Sequence, residues 1–472
     1  MILKNGKIYY NGRLNQGAIL IQDGIIKSIY KESNNHSFKK FKENNHDGIE
    51  IDCEDRYILP GMIDIHSHLR DMGQCDKETF YSGTKAAAYS GLTTVFNMPN
   101  TIPPAINAVQ VNKWQQKAKN NIFTDVGFIS GVPNSIDEEE IKNILALGII
   151  GFKIYPLKSL NGIDWTNSDN IQKILQISSR YQIPIFIHPD WPISSDEIEV
   201  LKKKYANYSF LKLHNKLHSE TYEAKYVNFI LENYSITERD LNSSSIKPPI
   251  LHFCHISCKE SFNLIQKFIQ AKKDSSKVNI SFEVTPHHLL LSNDIILRNE
   301  NIGKVLPPLR DKPHSAFLFK QLKEGNIHLI GTDHAPHSIN EKLLNNFEAP
   351  SGFPGFETYS YILLNKVFQK KLSLERFVEV SSENPAKRFN LSQKGFIAEG
   401  KDADLVIIEK VPNYTISSEK FKTKAKFTPF ENSNLSDRKT QILIWKVFLR
   451  GNEINTEKAT PSGRVIKINI KM

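Results

Sequence analysis

Short apolar runs in the central part of the chain, between residues 61 and 395, are separated by longer stretches with helical character. The runs occupy residues 93–96, 151–155, 183–187, 250–254, 278–283 and 327–330. An alternation of this kind predicts β/α units whose strands form a parallel sheet. About eight such units close a barrel, which takes ~250 residues before insertions. The pattern therefore predicts an α/β fold with a parallel sheet, which about eight units would close into a (β/α)8, or TIM, barrel.

The two ends of the chain have a different pattern, in which apolar runs are broken by turn residues. Residues 2–10 and 18–29 read as strands separated by Asn-Gly and Asp-Gly turn signals, and residues 403–408 and 442–449 read the same way. The polar stretch 31–45 predicts a loop. Two β-rich ends around a different middle predict one small β domain built from both termini.

These patterns divide the chain into two predicted domains. The β domain takes residues 1–55 and 397–472, and the barrel takes residues 56–396. An insertion in the barrel is predicted near 195–248, with its end marked by the serines at 243–245 and the prolines at 248 and 249.

Composition agrees with a large folded protein. The chain has 472 residues, of which 40% are hydrophobic and 24% charged, and this length favours one large domain plus a smaller one.

No apolar run approaches the ~18 residues that a membrane span needs, so no membrane partner is expected. The start lacks the apolar segment of a secretory signal, which points to the cytoplasm. Four cysteines are too few for a disulfide scaffold, so reduced thiols are expected.

The chain is basic, with a net charge of +10 and a pI of about 9.1. Nucleic-acid binding is the first interpretation of such a charge. However, the lysines are scattered and no basic run is interleaved with aromatic residues, so no nucleic-acid partner is predicted. A diffuse positive field that attracts a small anionic substrate fits equally well. A solvated lysine-rich surface without a function is the third interpretation.

Histidines and one aspartate follow several of the predicted strands. His66 and His68 are two apart, so on a strand both point to one face. His188 and His255 end apolar runs, and Asp333 follows another. Each histidine alone is more often structural than a ligand. Because the carboxyl ends of barrel strands converge, the set of four histidines and a carboxylate is typical of zinc with an open position for water.

Lys153 lies in another of the apolar runs that predict barrel strands, the one at 151–155. An ordinary lysine is protonated near neutral pH and would repel a metal ion. Carboxylation by CO₂ would reverse its charge and supply two oxygens that can bridge two metals. From the residues alone, Lys153 is interpreted as a surface lysine.

Together these segments resemble the amidohydrolase superfamily and, within it, the dihydroorotases, most of all the archaeal form. The matching segments are PGMIDIHSHLR at 60–70, NMPNT at 97–101, GFKIY at 151–155, HFCHIS at 252–257, EVTPHHL at 283–289, PPLR at 307–310, TDHAPH at 332–337, PSGFPG at 350–355, NPA at 384–386 and FKTKAKFTPF at 421–430. The resemblance covers nearly the whole chain except the predicted insertion.

The resemblance implies a (β/α)8 barrel with a flanking β-sandwich from both termini, and a site with two zinc ions per subunit. The implied ligands are His66, His68 and Asp333 on one ion, His188 and His255 on the other, and carboxylated Lys153 as the bridge. The implied reaction is the reversible cyclisation of carbamoyl-aspartate to dihydroorotate in pyrimidine synthesis. In it a metal-bridging hydroxide attacks the cyclic amide and Asp333 shuttles the proton. The implied contacts to the substrate carboxylate and ring come from Arg70, Asn100 and His337.

Three residues depart from the family pattern. Leu306 stands before Pro-Pro-Leu-Arg, where the family usually has a polar residue, and Asp190 ends a His-Pro-Asp where His-Ala-Glu is usual. Cys254 adjoins His255, and with Glu283 it could hold a further ion, although a buried thiol and a carboxylate that supports the ligands are the plainer interpretation.

Alternatives to the main interpretation follow from these departures. Leu306 leaves open an allantoinase or a hydantoinase of the dihydropyrimidinase type. A non-catalytic relative that acts as a scaffold is the third hypothesis, and the retention of all six ligand candidates argues against it. As partners, a homo-oligomer and association with other pyrimidine-pathway enzymes are compatible with the resemblance.

Overall fold

The computed structural model describes residues 1–32, 48–241, 247–272, 278–431 and 439–469. Nearly all of the loop predicted at 31–45 and the serines at 243–245 lie outside these ranges.

The strands, numbered in chain order, form two sheets. The barrel strands are β6 (Met62–Ser67), β7 (Leu92–Asn97), β8 (Asp125–Gly131), β9 (Gly151–Ile154), β10 (Pro184–Ile187), β11 (Ile250–Phe253), β12 (Ile280–Val284) and β13 (Leu329–Ile330). The terminal sheet contains β1 (Ile2–Tyr10), β2 (Arg13–Gln22), β3 (Ile25–Lys31), β4 (Glu50–Asp52), β5 (Tyr57–Pro60), β14 (Leu405–Thr415), β15 (Lys439–Leu449) and β16 (Asn452–Glu453). The short β17 (Val465–Ile466) pairs with β8.

The α-helices, also in chain order, lie mostly between barrel strands. They are α1 (Phe80–Tyr89), α2 (Ala108–Ala118), α3 (Glu138–Leu145), α4 (Ser168–Tyr181), α5 (Ser195–Lys204), α6 (Phe210–Leu217), α7 (Glu220–Leu241), α8 (Lys259–Ala271), α9 (Pro286–Leu290), α10 (Lys312–Lys323), α11 (Ile339–Lys342), α12 (Phe356–Phe368), α13 (Leu374–Val378) and α14 (Asn384–Arg388).

The barrel strands run parallel in the order β6 to β13. The ring closes where a parallel bridge joins Ser67 to His334, and the His68 amide donates to the His334 carbonyl at 2.7 Å. All residues of β6 through β10 are buried, as expected for strands covered on both faces. The predicted fold class is therefore confirmed.

The terminal sheet joins the two ends of the chain. β14 pairs antiparallel with β5, and β5 pairs parallel with β1, so strands from both termini share one sheet. This pairing confirms the prediction that both ends build the flanking β unit.

The segment in which an insertion was predicted contains three helices. α5 and α6 are additions between β10 and the next barrel helix. α7, by contrast, packs between α4 and α8 and takes the ordinary place of the helix that precedes β11.

A buried ion cluster connects the terminal sheet to the start of β8. Lys394 Nζ lies 2.6 Å from an Asp125 carboxylate oxygen and 2.7 Å from an Asp404 carboxylate oxygen. Arg450 Nη1 lies 2.6 Å from the same Asp125 oxygen. Since Asp125 begins β8, the cluster lies at the amino-terminal end of the barrel, opposite the ends from which the histidines project.

None of the helices in the described ranges is both long enough and apolar enough to cross a bilayer.

Candidate metal centre

The predicted metal ligands converge at the carboxyl ends of the barrel strands. His66 lies in β6 and His68 just after it, while His188 and His255 follow β10 and β11. Asp333 lies three residues beyond β13. All five side chains are buried. The loops after these strands meet on the barrel axis, and this brings together residues that are far apart in sequence.

His66, His68 and Asp333 form the first half of the centre. One ligand atom from each lies within 4.8 Å of the other two. The Asp333 Oδ1 atom is 3.5 Å from His66 Nε2 and 3.2 Å from His68 Nε2. Burial favours the neutral acid, but the charge of His66 and the hydrogen bond with His68 outweigh it and hold the pKa of Asp333 well below its usual range. The carboxylate is therefore ionised and available to a cation.

His188 and His255 form the second half. His188 Nδ1 lies 3.1 Å from His255 Nε2, a spacing at which two imidazoles can bind one ion. Burial lowers the pKa of both histidines well below the usual value, so both rings are neutral and keep a lone pair for a metal. The opposite nitrogens, His188 Nε2 and His255 Nδ1, are buried and have no hydrogen-bond partner in the described part of the chain.

Lys153 projects from β9 into the same region and is 2% exposed. Its Nζ donates to Cys254 Sγ at 2.8 Å and lies 5.1 Å from the centre of the Tyr155 ring. The interpretation of Lys153 as a surface residue, made from the residues alone, is therefore wrong. The β-strand pattern of GFKI turns this side chain inward.

Glu283 lies in β12 and forms a hydrogen bond with the candidate ligand His66. Its carboxylate accepts from His66 Nδ1 and lies 3.1 Å from His252 Nε2. Burial alone would raise the pKa of Glu283, but the His66 charge outweighs it and lowers that pKa to about 2. The bond to Nδ1 leaves His66 Nε2 facing Asp333. A carboxylate behind a metal-binding histidine fixes the tautomer and the ring orientation.

Replacing Glu283 with glutamine is expected to weaken zinc binding by about 10–100-fold, since the amide cannot hold His66 in the same way. Zinc titration against a competing chelator measures the change. Glu324→Gln, at an exposed glutamate of the barrel surface, is the matched control. Unchanged zinc affinity in Glu283→Gln would show that this carboxylate does not orient His66.

Gly331 allows the close approach of Glu283 and β6. A Cβ atom at this position would lie 2.7 Å from the Glu283 carboxylate and 3.0 Å from His66 Cβ. Next to it, Thr332 donates its amide and hydroxyl to Asp64 at 2.8 and 2.6 Å. Asp64 thereby anchors the loop that carries Asp333.

A second group of potential ligands overlaps the first. His66, Cys254 and Glu283 also offer atoms within 4.8 Å of one another. The Glu283 oxygens are already bonded to His66 and His252, and Cys254 accepts from Lys153. The contacts of Glu283 and Cys254 in this structure are therefore those of supporting residues.

A cavity of about 300 Å³ opens above the centre. It is lined by His66, His68, Arg70, Asn100, Tyr155, Leu157, Lys158, His188, His255, Val305, Leu306, Asp333, Ala335, Ser351 and Gly352. This volume is at the lower end of the range for small-molecule sites. The cavity therefore suits a ligand of few heavy atoms in contact with the candidate metal ligands.

Two of the three residues predicted to bind substrate line this cavity. Arg70 is buried, and its Nη2 lies 3.1 Å from His337 Nε2. Asn100 places Oδ1 2.6 Å from His68 Nδ1, so it also orients a candidate ligand. His337 lies behind Arg70, at 3.1 Å from the Ser351 carbonyl, and is not among the residues that line the cavity.

Three residues at the site have backbone angles in the left-handed region. The φ angles are 55° for Arg70, 35° for His255 and 47° for Asp333. Non-glycine residues in this region are strained, and such strain is concentrated at functional sites. The surrounding contacts hold these side chains in orientations that an ordinary strand end would not give.

The donor set matches what zinc prefers, namely imidazole nitrogens and carboxylate oxygens on buried, converging side chains. The distance of 3.1 Å between His188 Nδ1 and His255 Nε2 indicates the same. The residues present therefore fit a zinc centre.

The sequence of this chain is similar to one family of proteins over most of its length. The model of the amidohydrolase family matches residues 57–452. A dihydroorotase from Methanosphaera stadtmanae is 34% identical over 433 residues, which cover 92% of this chain and 92% of that protein. A dihydroorotase from Pyrococcus abyssi is 32% identical over 433 residues, covering 90% of this chain and 89% of that protein.

Solved structures with a similar fold include two hydantoinases. The L-hydantoinase (dihydropyrimidinase) of Arthrobacter aurescens has a TM-score of 0.84 at 24% identity, with 99% of each chain covered. The D-hydantoinase (dihydropyrimidinase) of a Thermus species has a TM-score of 0.83 at 24% identity, with 99% of this chain and 98% of that chain covered. At this level of identity the similarity shows the fold alone.

Proposed function

Because the chain belongs to the amidohydrolase family and, within it, to the dihydroorotases, we propose that it catalyses the reversible cyclisation of carbamoyl-aspartate to dihydroorotate. This reaction closes the ring in pyrimidine synthesis. The substrate class is a small cyclic amide that carries a carboxylate.

The observation that carries the proposal is the position of Arg70 in the same small cavity as His66, His68, His188, His255 and Asp333. A buried guanidinium without an anion is costly, so its presence in the cavity favours a substrate with a carboxylate. The four histidines and the aspartate are the residues that would act on the amide group of the substrate.

We assign the cofactor as two zinc ions per subunit, held by His66, His68 and Asp333 and by His188 and His255, with Lys153 carboxylated as the bridge. When bound, zinc lowers the pKa of water toward neutrality and polarises an amide carbonyl. The burial of Lys153 supports the bridging role, because its charge lies close enough to favour lower pKa values for His66, His188 and His255, which belong to both groups of ligands.

Asp333 is the proposed proton carrier. Its carboxylate lies on the cavity wall, at 3.5 Å from His66 Nε2 and 3.2 Å from His68 Nε2. In ring opening it accepts a proton from the attacking water and delivers it to the ring nitrogen as the C–N bond breaks. In ring closure the same carboxylate takes the proton from the ureido nitrogen as the C–N bond forms, and returns it to the carboxyl oxygen that leaves as water when its C–O bond breaks.

Arg70 orients the substrate through its carboxylate. Its Nε donates to the Pro336 carbonyl at 3.2 Å and its Nη2 contacts His337, and these bonds fix the guanidinium plane. Asn100 lies beside it on the cavity wall. A planar, fixed guanidinium recognises a carboxylate through paired charge-assisted bonds.

Replacing Arg70 with methionine is expected to raise KM for dihydroorotate by about 10–100-fold, since a charge-assisted bond to the carboxylate is lost. The turnover number should change less. Steady-state kinetics with dihydroorotate measure this change, and dihydrouracil, which lacks the carboxylate, is the control substrate. An equal loss with both substrates would mean that the carboxylate does not bind at Arg70.

Leu306 favours a second candidate function, that of a hydantoinase or allantoinase for other cyclic amides. It lines the cavity with an apolar side chain where dihydroorotases usually have a polar one. The buried Arg70 argues against neutral rings, and so dihydroorotate remains the preferred substrate.

A direct assay of the purified protein separates these functions. With zinc and bicarbonate supplied, we expect closure of carbamoyl-aspartate and opening of dihydroorotate. Faster opening of allantoin, hydantoin or dihydrouracil than of dihydroorotate would establish the second candidate instead. Location in the cytoplasm, a homo-oligomeric state and association with other enzymes of the pathway stay predictions.

A further inference from the structure

Tyr155 is a wall residue of the cavity to which the mechanism above gives no role. It follows β9 directly, two positions after Lys153. Its ring centre lies 6.4 Å from that of His188 and 5.1 Å from Lys153 Nζ. The phenol therefore lies beside the candidate metal ligands.

The Tyr155 hydroxyl is buried and has no hydrogen-bond partner among the residues that the structure describes. Buried hydroxyl groups are nearly always bonded, because a donor removed from water without a partner is destabilising. An unpaired hydroxyl in the wall of a binding cavity is explained when a ligand supplies the partner. Phenylalanine would fill the same space without this cost.

Beyond the candidate ligands, Arg70 and Asn100, the wall of the cavity has few polar side chains that could bond the substrate. Arg70 accounts for the carboxylate, and the histidines with Asp333 account for the reacting amide. The ureido group of the substrate still has N–H and C=O groups to bond. Val305 and Leu306 line the cavity but have no polar side-chain atom to offer. Lys158 and Ser351 do have one, but Lys158 is exposed and Ser351 is partly exposed, whereas the Tyr155 hydroxyl is buried.

We propose that the Tyr155 hydroxyl forms a hydrogen bond with the ureido group of the bound substrate and so helps to determine specificity. The inference rests on the proposed function and deepens it. A hydroxyl can both donate and accept, and so it can serve either the C=O or an N–H of that group. In this role Tyr155 supplies from β9 a polar contact that Leu306 does not.

The test compares Tyr155→Phe with wild type and with Tyr359→Phe. Tyr359 is a matched control because it is a fully buried tyrosine of α12 that does not line the cavity. Steady-state kinetics with dihydroorotate give KM and kcat, and calorimetry gives the affinity for orotate, which has the same ureido group and carboxylate. Inhibition by succinate, which has carboxylates but no ureido group, reports on the Arg70 contact alone.

For Tyr155→Phe we expect KM for dihydroorotate and Kd for orotate to rise about tenfold, as for loss of one hydrogen bond. The turnover number and succinate inhibition should stay near the wild-type values, and Tyr359→Phe should leave all four unchanged. The zinc content and the thermal unfolding of each variant are measured as well, so that only folded proteins with bound zinc are compared.

Unchanged KM and Kd in Tyr155→Phe would overturn the inference. A loss of turnover number alone would overturn it too, since Tyr155 would then act on the reacting atoms. Wild type that turns over neither carbamoyl-aspartate nor dihydroorotate would overturn the proposed function and this inference together. Wild-type turnover with an unaffected variant would overturn only the role of Tyr155.

Discussion

Asp333→Asn is expected to lower the turnover number for dihydroorotate by about 10²–10⁴-fold, the range for loss of a positioned proton carrier. Asparagine has the same shape and keeps an oxygen near His66 and His68, but it cannot accept a proton. The bound zinc should therefore remain while the reaction slows. Steady-state kinetics together with elemental analysis of the purified variant measure both quantities.

The control for this variant is Asp196→Asn, at an exposed aspartate in the first turn of α5. It should have wild-type activity and zinc content. Full activity in Asp333→Asn would refute the role of Asp333 as proton carrier. Loss of zinc in proportion to activity would instead assign Asp333 to metal binding alone.

Lys394→Met is expected to lower the free energy of unfolding by about 3–5 kcal/mol, because it removes the cation paired with buried Asp404 and leaves Asp125 with Arg450 alone. The side chains of Asp125 and Asp404 are only 3% and 2% exposed beside Lys394. Burial alone lowers the pKa of Lys394, but these carboxylates outweigh it and raise that pKa above the usual value. Without the lysine, two buried carboxylates would face one another.

Denaturant unfolding of the full chain measures this loss. Lys320→Met is the matched control, since Lys320 is 70% exposed and its contact with Glu324 is 3.7 Å long. An exposed pair of this kind contributes about 0–1 kcal/mol. The cluster lies at the amino-terminal end of the barrel, and so Lys394→Met should keep its activity at temperatures where it is folded. Equal stability of the two variants would contradict the stabilising role of the cluster.

The arrangement of His66, His68, His188, His255 and Asp333 could be predicted from the sequence because one rule governs all five. Each follows or ends an apolar run, and the carboxyl ends of parallel barrel strands converge. Local patterns were therefore enough to place them at one end of the fold. The same reasoning predicted the β-rich ends as one unit, which the pairing of β5 with β14 and β1 realises.

Contacts between distant segments could not be predicted in this way. Glu283 lies 217 positions from His66, and nothing local to either residue shows that the carboxylate reaches Nδ1. Likewise, Arg70 Nη2 and His337 Nε2 lie 3.1 Å apart although the two residues are 267 positions apart in the sequence. Such details depend on how strand ends turn, including the left-handed angles at Arg70, His255 and Asp333. The contact between His337 and the substrate that the resemblance implies stays a prediction.

The position of Tyr155 shows a different limit. In the sequence it is one aromatic residue after an apolar strand, and core packing is the ordinary interpretation of such a residue. Only the structure shows that its hydroxyl is buried in a cavity wall without a hydrogen-bond partner among the described residues. The signal is an absent hydrogen bond, which no sequence pattern reports.

The most direct test of the account is a crystal structure of the zinc-loaded protein with dihydroorotate, recorded with anomalous scattering at the zinc edge. We predict two zinc ions among His66, His68, Lys153, His188, His255 and Asp333, with Lys153 carboxylated and the substrate carboxylate on Arg70. Zinc bound elsewhere, or a substrate carboxylate bound away from Arg70, would contradict the account.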